Sequence, residues 1–226
     1  MQSGQTKEEP TLPYLLRHLP KYKAPGCVGD RYEHYQAMPF AFVDVLVHDA
    51  LNSQVTDGFA SIWRAGLLHP GDKQKKDAQG RPVARPIVVG LAARRITGRV
   101  PVAEMKHFFA KLFAQLRQLG CAIPAGVEIA YHTTVLACDH LEALADGDDA
   151  EMPSPIQIDF ENGFNNINRA ALQEAVEEHC PQLLRYNTLC YHGLGNLYAI
   201  EGGKVVATIP CNHGVWQGDS IGSHKY

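Results

Sequence analysis

Long apolar runs are missing from this sequence. No stretch approaches the ~20 consecutive apolar residues of a membrane-spanning helix, and the opening MQSGQTKEEPTLPYLL contains no apolar signal core. The expectation is an intracellular chain, in cytoplasm or nucleus, that is not secreted and has no membrane partner. Also missing is any C-x-x-C pair. The six cysteines are scattered, which points to reduced thiols rather than a disulfide framework. No internal repeat is present, which sets aside solenoid architectures.

The 226 residues suffice for one large domain or two small ones. Net charge is −3, which by itself argues against a nucleic-acid binder. That mean conceals a segregation. Residues 64–117 hold twelve Lys/Arg against three Asp/Glu, a balance of +9, while residues 139–178 hold one Arg against eleven Asp/Glu, a balance of −10. Charge alone fits two oppositely charged solvated faces as well as a basic lobe that meets an anionic partner.

Residues 1–33, rich in Pro, Gly and polar side chains, read as a poorly ordered lead-in. HYQAMPFAFVDVLVHDAL (34–51) and DGFASIWRAGLL (57–68, opening at Asp57) read as helices. The stretch 69–82 reads as a charged loop and 84–90 as a strand. Met105, Phe108, Phe109, Leu112, Phe113, Leu116 and Leu119 recur at helical spacing before Gly120, a core stripe. A further helix spans 124–144 and an acidic loop follows it. In PIQIDF (155–160) the period becomes two, with Ile156, Ile158 and Phe160 on one face of a strand. Asn168 caps the next helix, and residues 195–211 form a hairpin around Gly202-Gly203. Helices dominate and strands are few, so the class is α+β.

Four groups of residues offer chemistry. Asp159 ends a strand on the polar face, where a carboxylate suits Mg²⁺; an isolated strand-end aspartate also commonly caps the following turn. Phe164 fits a core plug and the floor of a nucleotide pocket equally well. Arg85, Arg94, Arg95 and Arg99 surround an apolar strand, and guanidinium forks grip phosphate oxygens. The pairs Cys138/His140, Cys190/His192 and Cys211/His213 have one intervening residue, too tight for ordinary zinc-ligand spacing. A zinc-stabilised module is therefore the weaker reading of them.

In order, GRPVARPIVVGLAARRITGR, RQLGCAIPAGVEIAYHTTV, IQIDFENGFNNINRAAL and HGVWQGDSIG resemble the reverse transcriptase domain of non-LTR retrotransposons, from about residue 40 to the last residue. The resemblance implies a right-hand polymerase fold: fingers over 34–125 and a partial palm over 126–226. It makes Asp159 the first catalytic carboxylate, with the Phe160 carbonyl a backbone metal contact. Phe164 becomes the aromatic gate that favours deoxynucleotides. Arg85 is assigned to the incoming triphosphate, Arg94, Arg95 and Arg99 to nucleic acid, and Gln217 and Gly218 to the turn beside the templating base. Implied partners are an RNA template, a DNA primer and deoxynucleoside triphosphates, with two Mg²⁺ ions as cofactor.

The sequence departs from the pattern at Gly163, Ser220 and Ser223. The family's downstream aromatic-x-Asp-Asp strand has no counterpart. Asp148-Asp149 lies upstream of Asp159 in a polar loop and does not replace it. The chain therefore reads as a fragment lacking the second carboxylate motif and the thumb, inactive alone. The alternative is a degenerate retroelement remnant that acts at most as a non-enzymatic nucleic-acid-binding module.

Overall fold

The computed structural model describes residues 12–76, 78–144, 156, 158–160 and 162–222. It is a mixed α and β structure with two compact units, one formed by residues 1–104 with 162–226 and the other by 105–161. The boundary expected at 125/126 is not the one the units follow. The larger unit is discontinuous, and a left-to-right reading has no signal for a chain that leaves a unit and returns.

In the larger unit, much of the expected lead-in is not loose at all. Helix α1 (Leu12–Arg17) buries Leu12 and Leu16, and Leu19 follows them into a core with Tyr32, Val43, Val47, Ala92, Ile96 and Val100. Each buried leucine contributes about 1.5–3 kcal/mol, enough to hold a six-residue helix that propensity alone would not. The reading of 12–33 as poorly ordered is corrected accordingly, while residues 1–11 lie outside the described residues. The helix expected over 34–51 is two: α2 (Tyr32–Ala37) and α3 (Phe40–Leu51). Pro39 forces Met38 into extended backbone, and the break falls there. Helix α4 (Asp57–Trp63) is capped by Thr56, whose hydroxyl accepts from the Phe59 amide at 3.3 Å, so the cap is one residue earlier than expected.

The stretch expected as a charged loop is instead most of strand β1 (Gly66–Lys76), which pairs antiparallel with β2 (Pro82–Gly90). Beyond Leu68 the described ladder gives each of these strands one neighbour. Pro70 and Pro86 lie opposite each other on that two-stranded arm, where a missing N–H is tolerated. Helix α5 (Ala92–Glu104) follows. Its N-terminus is capped from a distance: the Asp30 carboxylate accepts from the Ala92 and Ala93 amides at 2.6 and 3.2 Å and from the Tyr35 hydroxyl at 3.1 Å. Burial, then the Asp30 charge, raises the Tyr35 phenol well above its ordinary value, so it stays a donor.

The returning chain brings the single-turn helix Gly163–Asn166, here α8, then α9 (Arg169–His179) and α10 (Leu184–Tyr191). Asn168 caps α9 as its sequence suggests, accepting from the Ala170 and Ala171 amides. Strands β3 (Gly195–Glu201) and β4 (Lys204–Cys211) form the expected hairpin. β3 runs parallel to β1, which gives a four-stranded sheet ordered β2-β1-β3-β4 among the described residues.

The smaller unit holds α6 (Lys106–Gln115) and α7 (Gly126–Leu144). Phe109 and Phe113 of the expected stripe are buried with ring centroids 5.8 Å apart, while Phe108 and Leu116 are exposed. Residues 156 and 158–160 form no strand. Ile156, Ile158 and Phe160 are 87%, 73% and 71% exposed. The strand expected there is corrected: alternation makes a strand only where a neighbour supplies a ladder, and no described strand pairs with these residues. No helix among the described residues is long and apolar enough to cross a membrane.

Candidate functional site

A cluster of buried polar contacts in the larger unit surrounds residues 211–222, the segment that leaves β4. The Gly214 amide donates to the Ile167 carbonyl at 2.9 Å and the Val215 amide to the Phe164 carbonyl at 2.8 Å. This ties the segment to α8. Val215 and Trp216 are buried. A slot between β2 and α5 receives the Trp216 indole: a side chain at Gly90 would start 2.9 Å from the ring, and the Arg94 guanidinium carbon lies 3.9 Å from the ring centroid on its face. Gly218 packs its Cα against the Val88 carbonyl so closely that any Cβ would overlap that oxygen. The reason for glycine here is the approach of the turn to strand β2.

Asp219 is the centre of this packing. Arg94 donates to its Oδ2 at 3.1 Å, with the two side chains only 2% and 0% exposed. The Tyr191 hydroxyl donates to the same oxygen, and Oδ1 accepts from the Ile221 amide at 3.2 Å. Arg94 also donates to the Trp63 carbonyl at 3.1 Å, and Tyr186 donates to the Arg94 carbonyl at 3.1 Å. Burial works against the Arg94 charge, but Cys190, Tyr191 and Asp219 beside it outweigh that, so its pKa is raised. Burial and then the Asp219 charge push the Tyr191 phenol well above its ordinary value, which keeps it protonated and donating.

A second arginine grips the other end of the segment. Arg169 donates to the carbonyls of Gly214 (2.9 Å), His213 (3.1 Å) and Cys211 (3.2 Å), and to the Cys211 sulfur at 3.3 Å. Its guanidinium carbon lies 5.2 Å from the Tyr191 ring centroid, and that of Arg94 lies 5.0 Å from it. One phenol ring is thus shared by two arginines from different helices. Burial lowers the Arg169 pKa.

The residues expected to carry chemistry lie in four places. Phe164, Gln217, Gly218 and Arg94 meet at this cluster. Phe164 is half-buried on α8, and Gln217 is exposed at the tip of the turn. Arg94 is corrected as a nucleic-acid contact, because its guanidinium is buried and bound to Asp219 and the Trp63 carbonyl. Gly218 meets β2. Arg95 and Arg99 lie on α5 over the Tyr32 ring, at 4.7 and 5.5 Å, and Arg95 also donates to the Ala24 carbonyl at 2.7 Å. Arg85 is exposed on β2. It shares the strand face of the exposed Ile87, opposite the buried Val88.

Asp159 and Phe160 belong to the smaller unit, and both are exposed. Among the described residues no group of three or more His, Cys, Asp and Glu is placed to hold a metal. Asp159 is therefore in no such group among the described residues. The Asp148-Asp149 pair lies outside the described residues. None of these candidates lines the apolar depression of about 340 Å³ between α4 and the sheet, whose wall includes Cys27, Ile62, Leu67, Tyr198 and Ile200.

Asp219, Tyr191, Trp216 and Arg169 were not singled out from sequence. The first three carry no local signal for a buried network. Arg169 stands three residues after Asn166 in the same motif as Phe164, which is the one sequence cue for it. In comparison with known proteins, the chain matches no family model, and no curated protein matches it.

Proposed function

We propose that this chain is part of an RNA-directed DNA polymerase, a reverse transcriptase of the non-LTR retrotransposon type. Its partners are an RNA template, a DNA primer and deoxynucleoside triphosphates. One observation carries the reading. Three segments that resemble separate stretches of that domain, 85–99, 162–169 and 214–222, are far apart in sequence yet pack together, with Arg94 against Asp219 and Phe164 against Val215. Segments alike by accident have no reason to pack on one another.

In this reading β1, β2 and α5 belong to the fingers, and 162–222, with β3 and β4, belongs to the palm and its junction with the fingers. The β1–β2 arm, with Lys73, Lys75, Lys76, Arg81 and Arg85, meets nucleic-acid phosphates, whose neutralisation drives salt-sensitive binding. Phe164 is the gate against the ribose 2′-hydroxyl, and Gln217 faces the nucleotide and template. Asp159 is the carboxylate assigned to Mg²⁺, the ion that supplies charge neutralisation at the transferring phosphate in such enzymes.

A second reading, a nucleic-acid-binding module without catalysis, is favoured by the lack of any group of three metal-ligating side chains that includes Asp159 among the described residues. Anisotropy of a labelled RNA–DNA primer–template separates the two. The polymerase reading expects binding that weakens steeply with salt and tightens when the template-matched dNTP is added. Binding indifferent to every dNTP supports the second reading, and no binding at low salt removes both.

A further inference from the structure

We propose that Asp219, held by Arg94 and Tyr191, is a positioning residue that fixes Gln217 for the nucleotide and template; this rests on the polymerase reading above. A buried ion pair is a poor device for stability alone, since well-packed apolar residues of similar volume serve as well or better. What it supplies is direction. A carboxylate that accepts from a guanidinium and a phenol at one oxygen and from the Ile221 amide at the other admits few orientations, and here the carboxylate lies two residues from the tip of the turn.

The bracing along the segment is complete on both sides of Gln217 and leaves that residue out. Gly214 and Val215 are hydrogen-bonded to Ile167 and Phe164, and Trp216 is held between Gly90 and Arg94. After the tip, Gly218 abuts the Val88 carbonyl, and the Ser220 hydroxyl donates to the Arg95 carbonyl at 2.8 Å. Within 214–222 Gln217 is the exposed residue. A primary amide offers two donors and a carbonyl acceptor, the chemistry that reads a base edge or a sugar hydroxyl. A rigid segment with one outward amide is how a fold presents such a group with little ordering left to do on binding.

The assignment also explains why a phenol is shared by two arginines. Tyr191 meets Arg94, which holds the segment after the tip through Asp219, and Arg169, which holds the segment before it through three carbonyls. Displacement of either end is felt at the other through one ring.

The test uses the full chain with Asp219→Asn, Gln217→Ala and the double variant. Two quantities are read: hydrogen exchange of the 214–222 amides, and the tightening of primer–template binding by matched dNTP. Asp219→Asn is expected to speed exchange of 214–222 by roughly tenfold while β3 and α9 keep their protection. It is also expected to remove most of the dNTP effect while binding of the primer–template without nucleotide stays within about twofold. Gln217→Ala is expected to remove the same dNTP effect with exchange unchanged, and the double variant to lose no more than either single one. Faster exchange with an intact dNTP effect overturns the positioning role, as does unchanged exchange. If Asp219→Asn does not fold, Tyr191→Phe, which removes one hydroxyl and keeps the ion pair, must show the same pattern at smaller size, and failure to do so also overturns it. A wild-type chain with no dNTP effect sinks the polymerase reading itself, whereas a wild-type effect that Asp219→Asn leaves intact sinks this assignment alone.

Discussion

Asp219 and Gly218 are neighbours whose replacements fail for different reasons. Asp219→Ala leaves the Arg94 guanidinium buried without its counter-charge, and the expected loss is about 3–5 kcal/mol of unfolding free energy. Replacing both partners, as Arg94→Met with Asp219→Leu, is expected to recover most of that loss, since two apolar groups leave no charge stranded. Denaturant melts of the single and double variants check this, and equal destabilisation by the two would contradict it. Gly218→Ala is a steric change: its Cβ meets the Val88 carbonyl, so turn or strand must shift, at a cost of about 1–3 kcal/mol. At this scale the sequence was partly readable. A Gln-Gly-Asp turn announces that its glycine is needed, but not that the close approach is to the protein's own strand. Arg94 and Arg95 are adjacent and identical in type, yet one is a buried strut and the other lies half-buried over Tyr32. Only the helix phase relative to neighbouring elements separates them.

Among the elements, α5 depends on a cap that comes from the loop before α2. Asp30→Ala is expected to cost about 1 kcal/mol, the usual size of an N-cap loss, and Asp30→Asn less than that. Thermal melts check it, and no difference between wild type and Asp30→Ala would contradict the remote cap. The β1–β2 arm is tested by charge. Changing Lys73, Lys75 and Lys76 together to Gln is expected to flatten the salt dependence of nucleic-acid binding, by about one unit of log–log slope for each phosphate no longer neutralised. An unchanged slope would remove the arm from the interface. The elements legible in the sequence were those whose signals are local: the hairpin turning at Gly202-Gly203, the Asn168-capped α9, and the β-branched run of β2. Strand β1 was hidden because a two-stranded arm that buries none of its described residues fully beyond Leu68 needs no apolar alternation, so GDKQKK reads as loop. Helix α1 was hidden because its leucines declare an anchor only once the core they enter is known. Ile156, Ile158 and Phe160 show the reverse failure, a strand pattern without a ladder.

For the whole molecule, buried protons set the response to alkali. Burial pushes Cys180 up to about 11 from its ordinary 9.0, and burial with the Asp219 charge nearby raises Tyr186 and Tyr191 well above 10.0. The folded state therefore keeps protons that the unfolded chain releases. Stability is full below these ordinary values and falls as pH rises, first through the Cys180 window from 9.0 towards about 11, then more steeply beyond 10.0 as the tyrosines join. Tyr186→Phe is expected to reduce the steeper slope, and a denaturation midpoint that stays flat through the tyrosine range would contradict the buried network. The charge segregation visible in the sequence also acts at this scale, since a mean near neutrality gives no hint of a basic arm.

The polymerase reading is tested most directly by ternary binding. Retention of a labelled RNA–DNA primer–template is measured with the matched dNTP and with the corresponding ribonucleotide, for wild type and for Phe164→Ala. The reading expects the dNTP to tighten the wild-type complex more than the ribonucleotide does, and Phe164→Ala to bring the two together. A wild-type complex that responds to neither nucleotide would contradict it.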